Sequence, residues 1–151
     1  MFIIGIDPGK GGARATIQDG KLFSVCAYDG EITKCRDLGF APHMGDTIIF
    51  IEQVTTSPNQ GRVSAFTFGR FAEAVETTSR LSGWPVHMVR PVIWQNAIGV
   101  YSEGDKAKLY DKAKELFPEE YAKKMFNKAS SDAVLIAYYG WRYYENNKEG
   151  Q

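Results

Sequence analysis

The sequence predicts an α/β fold with a mixed sheet flanked by helices. Three observations carry that expectation. Two continuous apolar runs, residues 2–6 and 47–51, read as buried strands. Each run ends on an acid, Asp7 in the first and Glu52 in the second. Strand-like segments come first in the chain, and helices then alternate with strands.

The elements follow in order. Phe2 to Asp7 is the first strand, stopped by Pro8 and Gly9, which let the backbone turn sharply. Residues 13–18 and 21–28 alternate as the next two strands, joined by a tight Asp19-Gly20 turn. Asp29-Gly30 is a second turn signal, ahead of a short edge strand through Cys35. Residues 36–46 read as loop or a brief helical turn. Thr47 to Ile51 is the second buried strand, and the Thr, Ser, Pro, Asn and Gly of 53–61 mark a loop.

Residues 62–81 read as a helix. Val63, Phe66 and Ala74 lie on one side of it, and Phe68, Phe71, Ala72 and Val75 on another. So wide an apolar arc implies burial on more than one side, either against the sheet and a partner or in one deep groove. Gly83 ends this helix, and 85–89 is a short strand. Pro91 opens a short helix to about Ile98. Residues 106–116 are helical, Pro118 starts another turn or two, and Ala129 to Tyr144 is the last helix, with fraying from Asn146.

At 151 residues the chain is expected to form one domain. A hydrophobic content of 44% with ordinary charge describes a globular protein. No apolar run suits a bilayer span, and the start lacks a basic leader, so no membrane association and a cytoplasmic location are expected. Cys26 and Cys35 fit no zinc spacing and read as reduced thiols, with a cross-hairpin pairing as the alternative. Net charge is zero, which counts against a strongly basic nucleic-acid binder and predicts few phosphate contacts with a shallow salt dependence. The late lysines are interleaved with acids, as on a solvated, ion-paired helix face.

A third acid joins Asp7 and Glu52. Asp132 follows Ser130 and Ser131, either of which can cap the last helix and place Asp132 in its first turn. Ile136 lies one turn on, so Asp132 starts a face that otherwise enters the core. If the two strands are neighbours, three carboxylates converge, at a cost unless a cation sits among them. Hard oxygen donors without His or Cys suit Mg²⁺ or Mn²⁺. Such a site typically serves phosphoryl chemistry.

These residues carry a family resemblance. Gly5-Ile6-Asp7-Pro8-Gly9, then Ile51-Glu52-Gln53-Val54, then Ser131-Asp132-Ala133 resemble, in order, the motifs of the RuvC family of Holliday junction resolvases. They bracket nearly the whole chain. The compact length and divergent middle are more similar to the phage branch of the family. The resemblance implies a ribonuclease H-like fold with a mixed five-stranded sheet, a homodimer, and Mg²⁺-dependent paired nicking of four-way DNA junctions during recombination and repair. It makes Asp7, Glu52 and Asp132 metal ligands. It places Lys106, in Glu103-Gly104-Asp105-Lys106, near the scissile phosphate. The short helix with Gln95 and Gly99 also matches family sequence. A phage-encoded enzyme would work in the cytoplasm of its bacterial host.

Three departures from the family pattern stand out. Ala129 occupies the position of a fourth ligand, with Lys128 beside it. Lys128 either sits by the carboxylates, where it takes over part of a second ion's charge or repels that ion in the free enzyme, or points to solvent. Thr55 and Thr56 stand where the bacterial family has an aromatic wedge, and Trp94 aligns with a basic residue, where it stacks on a base or packs. The remaining candidate DNA contacts are Lys10 and Arg14 around the first turn, Gln60 and Arg62 after Glu52, and Arg70 and Arg90. Two competing readings remain. One is a ribonuclease H-like nuclease acting on other branched DNA or on RNA. A more remote one is a single-domain relative of actin and sugar-kinase ATP-binding folds, suggested by Asp7-Pro8-Gly9-Lys10-Gly11-Gly12.

Overall fold

A computed structural model describes residues 1–36, 45–53 and 61–148. Five strands, β1 (Phe2–Asp7), β2 (Ala13–Gln18), β3 (Lys21–Ala27), β4 (Thr47–Glu52) and β5 (Val86–Val89), form one mixed sheet in the order β3-β2-β1-β4-β5. β1 pairs antiparallel with β2 and parallel with β4, and β4 pairs parallel with β5. The Asp19-Gly20 turn is a two-residue hairpin with both residues at positive φ, 48° and 82°, the type I′ geometry that matches strand twist.

Six helices complete the described chain: α1 (Ile32–Arg36), α2 (Arg62–Leu81), α3 (Pro91–Ala97), α4 (Lys106–Leu116), α5 (Pro118–Ala122) and α6 (Ser131–Lys148). Each face of the sheet carries its own core. Ile4, Ile6, Ile49 and Ile51 pack with Phe71, Ala74 and Val75 of α2. On the opposite face Ile3, Ala15, Ile17 and Phe50 pack with Val134, Ile136 and Ala137 of α6.

α6 lies against β1 without intervening side chains. A Cβ on Gly5 would collide with the backbone of Ala133 and Ala137, and one on Gly140 with the Phe50 ring and Ile3. Glycine at these two positions lets helix and strand backbones touch. Because Gly140 lies over Ile3 and Phe50 while Ala133 and Ala137 lie over Gly5, α6 runs antiparallel to β1. Its N-terminus therefore arrives at the ends of β1 and β4 that carry Asp7 and Glu52.

Several expectations need correction. The edge strand through Cys35 is instead the helical turn α1. Lys34, which donates its ammonium to Asp29 at 3.0 Å and lies 3.9 Å from Glu31, ties that turn together. Helix α2 does not sit in a deep groove within one chain. It buries Phe71, Ala74, Val75 and Ser79, while Val63 and Phe66 are 80% and 69% exposed. The last helix runs on to Lys148 rather than fraying at Asn146. Neither Ser130 nor Ser131 is seen capping it. Asn127 Oδ1 accepts from the N–H groups of Ala129 and Ser130, and the Ser130 hydroxyl accepts from Asn127 N at 3.0 Å. Cys26 is a free thiol. Residues 37–44, 54–60 and 149–151, among them Gln60, Thr55 and Thr56, lie outside the described residues.

Two of the late lysines lie on an ion-paired helix face, that of α4. Lys112 meets Glu115 at 2.7 Å and Lys114 meets Asp111 at 2.6 Å. No described helix is long and apolar enough to cross a membrane.

Candidate active site

Strand parity aims the first two acids. Alternate residues of a strand point to opposite faces, and Ile3 and Phe50 both face α6. Asp7 and Glu52, four and two residues further on, share that face. The parallel register sets Ile6 beside Ile51, so the two acids leave the sheet side by side. Asp132, in the first turn of α6, meets them from above.

Lys106 closes the group. Its ammonium stands 3.1 Å from Asp132 Oδ2 and 3.9 Å from Asp7 Oδ2. It is the first residue of α4, and Asp105 caps that helix by accepting from Ala107 N at 2.8 Å. The preceding loop is fixed by Gln95. Its buried Oε1 accepts from Ser102 N at 3.1 Å and from the Ser102 hydroxyl at 3.2 Å. Gly99, Glu103 and Gly104 take positive φ to make the turn.

The electrostatics follow from burial. Asp7 is only 8% exposed. Burial, then repulsion from Asp132, raises its pKa, against the pull of Lys106 and a hydrogen bond from Gly9 N at 3.2 Å. Glu52 is pushed up to about 7, first by burial and then by Asp7, although Trp94 Nε1 donates to its Oε2 at 2.9 Å. For Lys106, burial pulls the ammonium down, but Asp132 and Asp7 outweigh it and the net direction is up.

The donor set is three carboxylates with neither His nor Cys, which fits a hard divalent cation. Two of the three are held in a cost-raising state that such a cation would relieve. In the arrangement seen here, however, no three His, Cys, Asp or Glu side chains among the described residues are gathered closely enough to chelate an ion. Glu52 is turned to Trp94 and Asp132 to Lys106.

The other candidates fall in different places. Trp94 is fully buried and donates to Glu52, so it has no ring face to offer a base. It packs and holds a carboxylate instead. Arg14 also departs from expectation: it pairs with Ile6 in the sheet and shares the α2-side face. Its side chain leaves the sheet on the side opposite Asp7, and its Nη1 is buried without a partner among the described residues. Lys10, Arg62, Arg70, Arg90 and Lys128 are exposed. Lys10 lines a hollow of about 400 Å³ with Gly30, Asn127 and Ala129. No ion pair joins Lys128 to the carboxylates among the described residues, and the lysine on the acids is Lys106. Sequence reasoning missed the Trp94–Glu52 bond, the Gln95–Ser102 pair and Tyr101 on the cleft wall. A polar residue inside an apolar helical turn, Gln95, was the one available signal.

No family model matches the sequence, and no curated protein does. Solved structures do match. "T. thermophilus RuvC in complex with Holliday junction substrate" aligns with a TM-score of 0.68 at 17% identity, over 97% of this chain and 96% of that one. "Thermus thermophilus RuvC structure" aligns with a TM-score of 0.60 at 17% identity, over 97% of both chains. The mixed five-stranded sheet with its flanking helices is therefore the ribonuclease H-like fold of RuvC.

Proposed function

We propose that this chain is a divalent-metal-dependent endonuclease that resolves four-way DNA junctions. The observation that carries the reading is the convergence of Asp7, Glu52 and Asp132 with Lys106 at the carboxyl ends of adjacent central strands. The resemblance of the fold to a resolvase solved on its junction substrate supports the substrate class.

Asp7, Glu52 and Asp132 would hold Mg²⁺ or Mn²⁺. An ion held there would supply Lewis acidity, for activating water and for stabilising charge that develops on a phosphate. The chain's own groups do the rest. Trp94 orients Glu52, Gln95 and Ser102 hold the loop that delivers Lys106, and Lys106 offers its ammonium to a phosphate oxygen as the charge grows. Exposed Lys10, Arg62, Arg70, Arg90 and Lys128 supply phosphate contacts that set register. Gln60 belongs to the same proposal from sequence alone.

Paired nicks call for a symmetric dimer. The exposed Val63 and Phe66, one turn apart on α2, are the apolar surface that a second copy would cover. We read the whole chain as one nuclease domain of the phage-branch type, from its compact length.

The test compares a fixed four-way junction with a flap, an RNA–DNA hybrid and a linear duplex, in Mg²⁺, in Mn²⁺ and in EDTA. Symmetric cutting of the junction alone, lost in EDTA and in Asp7→Asn, is expected. Equal cutting of linear duplex overturns junction specificity, and preferred cutting of flap or hybrid shifts the reading to another branched substrate. Junction cutting that survives Asp7→Asn overturns the metal site. Light scattering that shows only monomer, with and without junction, overturns the dimer.

A further inference from the structure

The carboxylates open into a cleft of about 400 Å³, whose charged lining residues are Glu52, Glu103, Asp132 and Lys106. The same cleft is also lined by Val92, 40% exposed, and Tyr101, 56% exposed. Tyr101 makes no hydrogen bond or ring contact among the described residues, so more than half of a large amphipathic ring stands in solvent beside the acids.

That exposure does not come from a loose backbone. Val100 N donates to Gln95 O at 2.9 Å on one side of Tyr101. On the other side Ser102 is buried, bonded twice to Gln95 Oε1, and accepts from Asp105 N at 2.8 Å through its carbonyl. Tyr101 is a ring on a pinned stretch of chain, presented in advance. Single exposed apolar residues are common and need no explanation. An exposed ring on backbone fixed from both sides, lining the same cleft as the acids and Lys106, is a different case.

We propose that Tyr101 stacks on an unpaired base next to the phosphate held at Lys106, which makes it a specificity-determining residue for branched over linear DNA. The proposal rests on the junction-resolving reading above. The cleft lies in the size range of small-ligand sites, and two of its lining residues divide the work. Lys106 takes the phosphate, and the ring takes the base. In a continuous duplex both faces of a base are covered by its neighbours, whereas at a branch point stacking is interrupted and unstacking costs least. An aromatic platform therefore rewards the branch. Such stacking tolerates any base, because every base has a π-face.

The experiment uses the full-length protein in EDTA with a fixed four-way junction carrying 5-iodouracil singly at and around the branch. Irradiation is expected to cross-link Tyr101 to a branch-point base, identified by mass spectrometry. Junction affinity should fall about 5- to 150-fold in Tyr101→Ala, stay within about threefold of wild type in Tyr101→Phe and Tyr101→Trp, and not be rescued by Tyr101→Leu. Linear-duplex affinity should not change. Cross-links confined to other residues, or a Tyr101→Ala variant that binds junction as tightly as wild type, overturn the proposal. Failure of Tyr101→Phe would also overturn it, by pointing to the hydroxyl. If Tyr101→Ala does not fold, the wild-type cross-link and the Phe and Leu variants still decide. A wild-type protein that ignores junctions refutes the underlying reading; one that cuts junctions with Tyr101→Ala unimpaired refutes only the stacking.

Discussion

Replacing Glu52 with Gln should make the metal-free protein more stable at slightly alkaline pH. The Glu52 carboxyl rises from an ordinary 4.5 to about 7 in the folded chain. Below pH 4.5 both states hold the proton, and the shift costs nothing. Between 4.5 and 7 the unfolded chain has lost the proton and the folded chain has kept it, so stability falls as pH rises. Above 7 the full cost, about 3 kcal/mol, is present. Asp7, also raised, adds a slope of the same sign. Lys106 does not interfere, because a raised ammonium loses its contribution only above its ordinary 10.5. Gln keeps an oxygen for Trp94 Nε1 to donate to and removes the charge. Urea unfolding in EDTA at pH 4.5, 6 and 8 should show Glu52→Gln level with wild type at the lowest pH. By pH 8 it should lead by about 2–3 kcal/mol. A Glu52→Gln protein less stable than wild type at pH 8, or a lead independent of pH, would refute the argument that burial and Asp7 hold this carboxyl up.

Other perturbations test the surroundings. Lys106→Met removes the one cation seen on the acids; with the ammonium half-exposed, the metal-free protein should lose about 1 kcal/mol. Calorimetric titration should then show Mn²⁺ bound about fivefold more tightly, and equal or weaker binding would contradict competition between lysine and metal. Trp94→Phe deletes the donor to Glu52 and should drive its pKa above about 7, read by carboxyl carbon chemical shifts across pH. An unmoved or lowered titration would show that the bond does not hold the carboxylate. Gly5→Ala should cost about 3 kcal/mol or more in unfolding free energy, since helix and strand backbones must part. A loss under 1 kcal/mol would mean that α6 can slide away freely.

The sheet was legible because its signals are local. A two-residue Asp-Gly turn between alternating segments, and apolar runs ending on acids, mark β1, β2 and β4 unaided. The acid trio was legible for a related reason: parity sends residues 7 and 52 to the face that α6 covers. Arg14 lies on another strand across a loop, so its face is set by the β1–β2 register, which the sequence does not announce. Trp94 and Val63 could not be placed, because residue type says nothing of burial when the partner surface is distant in sequence. The α1 turn misled because five residues are too few to show a period. The position of Lys106 depends on a loop held by Gln95, seven residues before Ser102, and no local pattern announces such a bond.

The glycine contact between α6 and β1 has a consequence for how this protein can change. Asp7 and Asp132 are spaced by backbone against backbone, a ruler with no side chain in it to wear or be exchanged. The loop bearing Tyr101 is tied to another helix through Gln95, by its side chain and its backbone carbonyl. The chemistry is thus built into the frame, and the choice of what is brought to it into a detachable fitting. Lineages, or engineers, can recut residues 99–105 while the acids stay where the frame puts them.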